Sequence, residues 1–323
     1  MAVRSGKGAT KKRLLWVDAA KGIGILLVIA GHVWWRPGPV HRVIYAFHMP
    51  LFFILSGYTA TPQAMLPLIG RLMRTLLVPF IAFSLILIGL DLAVEGARGA
   101  RPIFPDIATG LKAIVLDTQT LRGPFTILWF IPCLLLARIG WNAMARLRPD
   151  PFDRMWLVAI PIIMAAGHWM ASRGMVLPLG LIAVPAALTC LWIGQMWKMR
   201  SPGPALALFL LMPLAAMTFL HLPPVNLKPG DFGLPVLSLA GAAAVTILIG
   251  LVLSRLRDGL LAPLAWLGRA SLVIMYVHVA FIHYLMPSFG RGALFVIALA
   301  GSVAVHLAAS ATRPGRLVLL GER

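Results

Sequence analysis

Charge and sulfur are both scarce in this chain. Only 12% of its 323 residues are charged, and ten acidic residues stand against 29 Lys and Arg. So little charge, with 60% hydrophobic residues and a mean hydropathy of +0.89, excludes a soluble domain of this size. There are two cysteines, Cys133 and Cys190, both inside apolar stretches. They exclude a disulfide framework or a thiolate metal site and read as small packing residues. No internal repeat, low-complexity tract or soluble domain after the last apolar run is evident. Short alternating segments, the mark of a membrane β-barrel, are missing as well. A cleavable signal peptide is not expected, because the apolar run after the basic start is long and carries Asp18, Lys21 and His32.

What remains is apolar runs of helix-spanning length. They predict an all-α, polytopic integral membrane bundle of about ten transmembrane helices. The expected spans are 15–35, 43–61, 76–94, 125–145, 155–171, 175–197, 203–221, 234–254, 262–286 and 292–311. The chain then divides into a basic tail at 1–14, a transmembrane domain at 15–312 and a short tail at 313–323. An even number of spans puts both termini on one side. Of the Lys and Arg outside or flanking the spans, 18 fall on that side and 9 on the other. The bias predicts that both termini are cytoplasmic, in a cell inner membrane crossed many times. The net charge of +19 is spread over short loops, so it reads as orientation and contact with anionic membrane lipid, not as a nucleic-acid surface. The longest loop, about 95–124, is then external. It reads equally well as a solvated cap or as a cover over an acceptor site.

Ionisable groups inside a membrane helix are costly and mark function by default. At 100° per residue, Asp18, Lys21 and His32 fall within about 60° of one another on the first helix. Asp18 and Lys21 can pair at i, i+3 near the cytoplasmic end. His32 lies ~21 Å further along, towards the outside. His48 opens the second span in the run Tyr45-Ala-Phe47-His48-Met49-Pro50-Leu-Phe-Phe-Ile-Leu-Ser56-Gly57. Ser56, before a glycine, reads more readily as a packing residue than as a nucleophile. Arg71 and Arg74 place two guanidinium groups at i, i+3 on the cytoplasmic side; that pattern suits phosphates and also serves as an ordinary topology signal. Near the C-terminus, Arg269 sits at the cytoplasmic edge of a span that carries Tyr276 and His278.

Three segments together resemble the acyltransferase 3 family of integral membrane O-acyltransferases: Asp18-x-x-Lys21-Gly22 through Gly31-His32, the Tyr45–Gly57 run, and Arg71-x-x-Arg74. Trp129-Phe130 and the Leu267–His278 segment look like its later motifs. The Lys-Gly-Ile-Gly-Ile and Phe-His-Met-Pro-Leu-Phe-Phe forms look like its fucose 4-O-acetylase-like branch. The family usually has Arg where Lys21 stands, which keeps the charge but loses the planar fork.

The resemblance implies acetyl-CoA, or another short acyl-CoA, as donor from the cytoplasm, with no metal. The acceptor would be a sugar hydroxyl of a surface or secreted glycan or its lipid-linked precursor. Proteins of polysaccharide synthesis are candidate partners. His32 and His48 are then the catalytic candidates, His32 as general base or as a transient acyl relay. Arg71, Arg74, Lys21 and Arg269 are candidates for holding acyl-CoA. Asp18, Tyr45, Ser56, Trp129, Tyr276 and His278 would support them. Two other readings stay open: a proton-coupled transporter or flippase for a glycan or small solute, and a non-catalytic scaffold.

Overall fold

A computed structural model describes residues 14–36, 38–209, 212, 215, 225–286 and 288–322. The described residues form a helical bundle without strands. The helices are α1 (Leu15–Val33), α2 (Pro39–Thr59), α3 (Met65–Ala97), α4 (Ile107–Leu116), α5 (Phe130–Leu147), α6 (Arg154–Ser172), α7 (Val184–Met199), α8 (Pro204–Phe209), α9 (Pro235–Leu253), α10 (Asp258–Leu285), α11 (Arg291–Ala311) and α12 (Arg313–Val318). Among the described residues, nine helical segments are long and apolar enough to cross a membrane. Each matches an expected span, with α3 starting earlier, at Met65. The expected span at 203–221 lies mostly outside the described residues.

Two very close helix crossings set the bundle's centre. α1 packs most extensively on α10, and α2 on α7. In the first crossing, Gly22 faces the Leu264 carbonyl while Gly268 faces the Asp18 carbonyl. A side chain at either glycine would occupy the space of the other helix's backbone. The second crossing repeats the device with Gly57 against Leu191 and Gly194 against Ile54. Lipid offers no hydrophobic drive for helices to associate, so close backbone approach at small residues supplies the packing instead. α6 and α11 sit at the periphery with most of their surface turned outward. Their exposed Leu157, Val158, Ile162, Val296 and Leu307 suit contact with lipid tails.

Aromatic residues gather at the end where α1 begins. Trp16, Tyr58 and Trp197 have ring centroids 5.0, 5.3 and 4.8 Å apart, the kind of amphipathic cluster favoured at a membrane interface. The long loop expected at about 95–124, at the opposite end, carries a helix of its own. Glu95 belongs to α3, and the loop contains α4, capped where the Asp106 side chain accepts from Thr109 N at 2.8 Å. The loop is also fastened to the bundle. The buried Asp91 carboxylate accepts from Ile103 N at 2.6 Å and from the Tyr284 hydroxyl at 2.8 Å. Arg98 pairs with Glu95 at 3.2 Å and donates to the Tyr284 carbonyl at 2.6 Å.

Candidate active site

The ionisable stripe on α1 divides between two cavities. The one at the end where α1 begins, named inner for the side that the charge bias predicts, has about 280 Å³ and is lined by Asp18, Lys21, Phe52, Ser56, Phe130, Gly268, Arg269 and Met275 among others. Asp18 is buried at 3% exposure, and its carboxylate lies 3.7 Å from the Lys21 ammonium. One turn of α1 brings these charges together, and the Gly268 crossing brings α10 and its Arg269 to the same wall. Ser56 also lines this cavity. Its carbonyl and hydroxyl oxygens accept from Arg138 at 2.8 and 3.2 Å. Sequence reasoning did not single out Arg138, because only tertiary structure carries α5 to α2.

Arg71 and Arg74 do not line the inner cavity. The helix changes to a π turn at Met73–Leu77, so the two arginines do not keep simple α-helical spacing. Arg71 is exposed, while Arg74 is half-buried with its Nε covered and without a hydrogen-bond partner among the described residues. The chain near Gly321 lies against Arg74 and Thr75.

The outer cavity, of about 250 Å³, holds both catalytic candidates. His32 and His48 line it with Tyr45, Trp129, Met275 and Lys228. The His48 Nδ1 lies 2.8 Å from the Ile44 carbonyl. A carbonyl only accepts, so Nδ1 carries the hydrogen and the neutral ring presents its Nε2 lone pair. His278 is fixed likewise, its Nδ1 at 2.8 Å from the Ile274 carbonyl and 3.0 Å from the Met275 carbonyl. Its buried Nε2 has no partner among the described residues, and its ring centroid is 5.2 Å from that of His32. Tyr45 stacks on His41 at 3.9 Å and meets His48 edge-on at 4.8 Å. Tyr276 points elsewhere: it is fully buried and stacked on Phe83 at 4.6 Å.

Lys228 and Asn226 reach this cavity from the loop before α9. Asn226 and Asp231 exchange backbone hydrogen bonds at 2.8 and 3.0 Å, closing a tight turn that presents Lys228. Its ammonium donates to the Leu121 carbonyl and to the Thr126 hydroxyl. Burial pulls the Lys228 pKa down to about 8, against the opposing influence of Asp117. Nothing in local sequence marks Lys228 out from the other charges expected on the outer side.

No metal was expected. Among the described residues, Asp91, Glu95 and His283 bring ligand atoms within 4.8 Å of one another. This group lies outside both cavities, and both Asp91 oxygens already accept hydrogen bonds.

The model of a family described as an acyltransferase domain, acyltransferase 3, matches residues 14–311. The nodulation protein NolL of Mesorhizobium japonicum is 32% identical over 145 residues. That match covers 39% of this chain and only 36% of the relative. No solved structure matches.

Proposed function

The chain belongs to the acyltransferase 3 family, and from that premise we propose that it is an O-acetyltransferase of the inner membrane. It takes an acetyl or other short acyl group from cytoplasmic acyl-CoA. It delivers that group to a sugar hydroxyl of a surface or secreted glycan, or of its lipid-linked precursor. The observation that carries this reading is the pair of cavities stacked along α1. Cationic Lys21 and Arg269 line the one at the basic end, and His32 and His48 line the other. A donor with a charged nucleotide and a long pantetheine arm suits such a path. Its phosphates stay with Lys21, Arg269 and, at the membrane surface, Arg71 and Arg74. The thioester reaches inward.

His32 acts as general base in this reading. It takes the proton of the acceptor hydroxyl as that oxygen attacks the thioester carbon. The carbon–sulfur bond then breaks, and the imidazolium returns the proton to the departing CoA sulfur. The products are the sugar ester and free CoA, with His32 restored. A positioned base contributes ~10²–10⁴-fold. His278, with its Nδ1 fixed to backbone, offers Nε2 to orient the His32 ring. The Lys228 ammonium, on the wall of the same cavity, is the donor that polarises the thioester carbonyl and steadies the charge that develops on its oxygen, while the Nε2 lone pair of His48, which only accepts, holds the acceptor hydroxyl in position.

The test is CoA release from acetyl-CoA by the purified protein in proteoliposomes, with and without candidate glycans. Release that rises with one acceptor and disappears in His32→Ala is expected. Near-normal acceptor acylation by His32→Ala would sink the base assignment. Uptake of solute without CoA release would favour a carrier.

A further inference from the structure

Met275 alone among the described residues lines both cavities. Everything else in the two linings belongs to one side or the other. The walls around it are stiff. Phe130 packs edge-on against Phe52 and Trp129, each with centroids 6.1 Å away, and lies 5.0 Å from Phe53. The Met275 backbone is fixed too, because its carbonyl accepts from His278 Nδ1. Its unbranched side chain, buried at 3% exposure, is the movable group at the boundary. Methionine has three rotatable side-chain bonds and fills irregular gaps without a strongly preferred shape.

We infer that the Met275 side chain is the movable partition between a donor chamber and an acceptor chamber, and that its bulk sets the length of acyl group that can pass. The inference rests on the transferase reading for its second half only. An acyl-CoA entering from the side of Lys21 and Arg269 must bring its thioester carbon past this side chain to meet His32. A two-carbon acyl group needs a small displacement of the Met275 thioether. Each added methylene needs space that the aromatic walls do not yield. Between donors, Met275 seals the bundle against leakage from one face to the other.

Two measurements on the full-length protein test this. The first compares CoA release from acetyl-, propionyl-, butyryl- and hexanoyl-CoA by wild type, Met275→Ala, Met275→Leu and Met275→Phe. One methylene in a pocket of fixed size is worth roughly tenfold or more in selectivity. Met275→Ala should shift the butyryl-to-acetyl ratio upward by about that factor at least. Met275→Phe should lose the longer donors first. Met275→Leu, which nearly conserves volume, should keep the wild-type order. An unchanged ratio in both the Ala and Phe variants overturns the length limit.

The second places Met49→Cys, half-buried in the lining of the outer cavity, as a reporter and applies a charged thiol reagent to either face of sealed vesicles. The native Cys133 and Cys190 are fully buried and give little background. The reporter should react from the outer face only, and from both faces once Met275→Ala is added. Failure of Met275→Ala to open the inner route overturns the partition. Absence of CoA release from any donor by wild type counts against the transferase reading alone, since the labelling still decides whether Met275 divides the chambers.

Discussion

Replacing Gly268 by alanine tests the crossing on which the inner cavity is built. An alanine Cβ there would stand 2.7 Å from the Asp18 carbonyl carbon and 3.0 Å from Gly22 N, where ordinary contact begins at 3.4 Å. The Asp18 carbonyl oxygen lies closer still, and all three obstacles are backbone, so no rotamer change relieves them and α1 and α10 must separate by well over 0.7 Å. Overpacking of this kind costs ~1–3 kcal/mol, and an obstacle of backbone on both sides puts it at the upper end. The gain in helix propensity from Gly to Ala offsets ~1 kcal/mol. The net loss is about 2 kcal/mol, several degrees of unfolding temperature for a protein of this size. Gly89→Ala is the control, because nothing lies within 4 Å of its added methyl and only the propensity gain applies. Thermal unfolding of the purified protein in detergent, followed by tryptophan fluorescence, measures both. Gly22→Ala should lose a similar amount, and the double variant should lose less than the sum, since one separation relieves both clashes. Equal unfolding temperatures for Gly268→Ala and Gly89→Ala, or strict additivity of the pair, would refute the reasoning.

Two further outcomes come from the cavities and one from the loop's fastening. Ser56→Ala should transfer acyl groups much as wild type does: Arg138 keeps its bond to the Ser56 carbonyl, and no histidine lines the Ser56 cavity to activate a nucleophile. Complete loss of turnover in a folded variant would contradict this. Tyr284→Phe leaves a buried Asp91 oxygen without its donor, at a cost of ~1–3 kcal/mol. The loop between α3 and α5 should then be cut faster by protease added to its side, and an unchanged rate would remove Asp91 as its fastening. Lys228 titrates near pH 8 when folded and at about 10.4 when unfolded, so the unfolded chain binds more protons between these values. Stability should therefore rise as pH climbs from about 8 towards 10.4, and Lys228→Met should flatten that rise in a pH series of unfolding temperatures.

Hydropathy carried most of the fold, because each described span is an apolar run with polar ends, and Asp18 and Lys21 pair as their spacing on α1 predicts. The start of α3 was not legible. Its first turns, from Met65 to Leu72, are set apart from the long apolar stretch by Gly70, Arg71 and Arg74, and the π turn at Met73–Leu77 has no sequence signature that periodicity detects. The folded state of the 98–122 loop rests on Asp91 and Tyr284, 193 positions apart, and a single sequence does not reveal such pairs. His32 and His48 were visible as costly residues in lipid. Lys228, Arg138 and Met275 were not: each is ordinary where it stands in sequence and gains its place only through the helix or loop that packs beside it.

The close packing of α1 on α10 has a consequence for how the protein is made. About 225 residues separate the end of α1 from the start of α10. At synthesis rates of ~5–20 residues per second, α1 waits on the order of 10–45 s for its principal neighbour. During that interval the Asp18–Lys21 pair and His32 sit in a helix whose closest-packed face is uncovered. Their mutual attraction, and any transient cover from α2, must hold α1 in the bilayer until α10 arrives. The Gly22 and Gly268 notches then decide when biogenesis ends, since both cavities lack a wall until that last central helix docks.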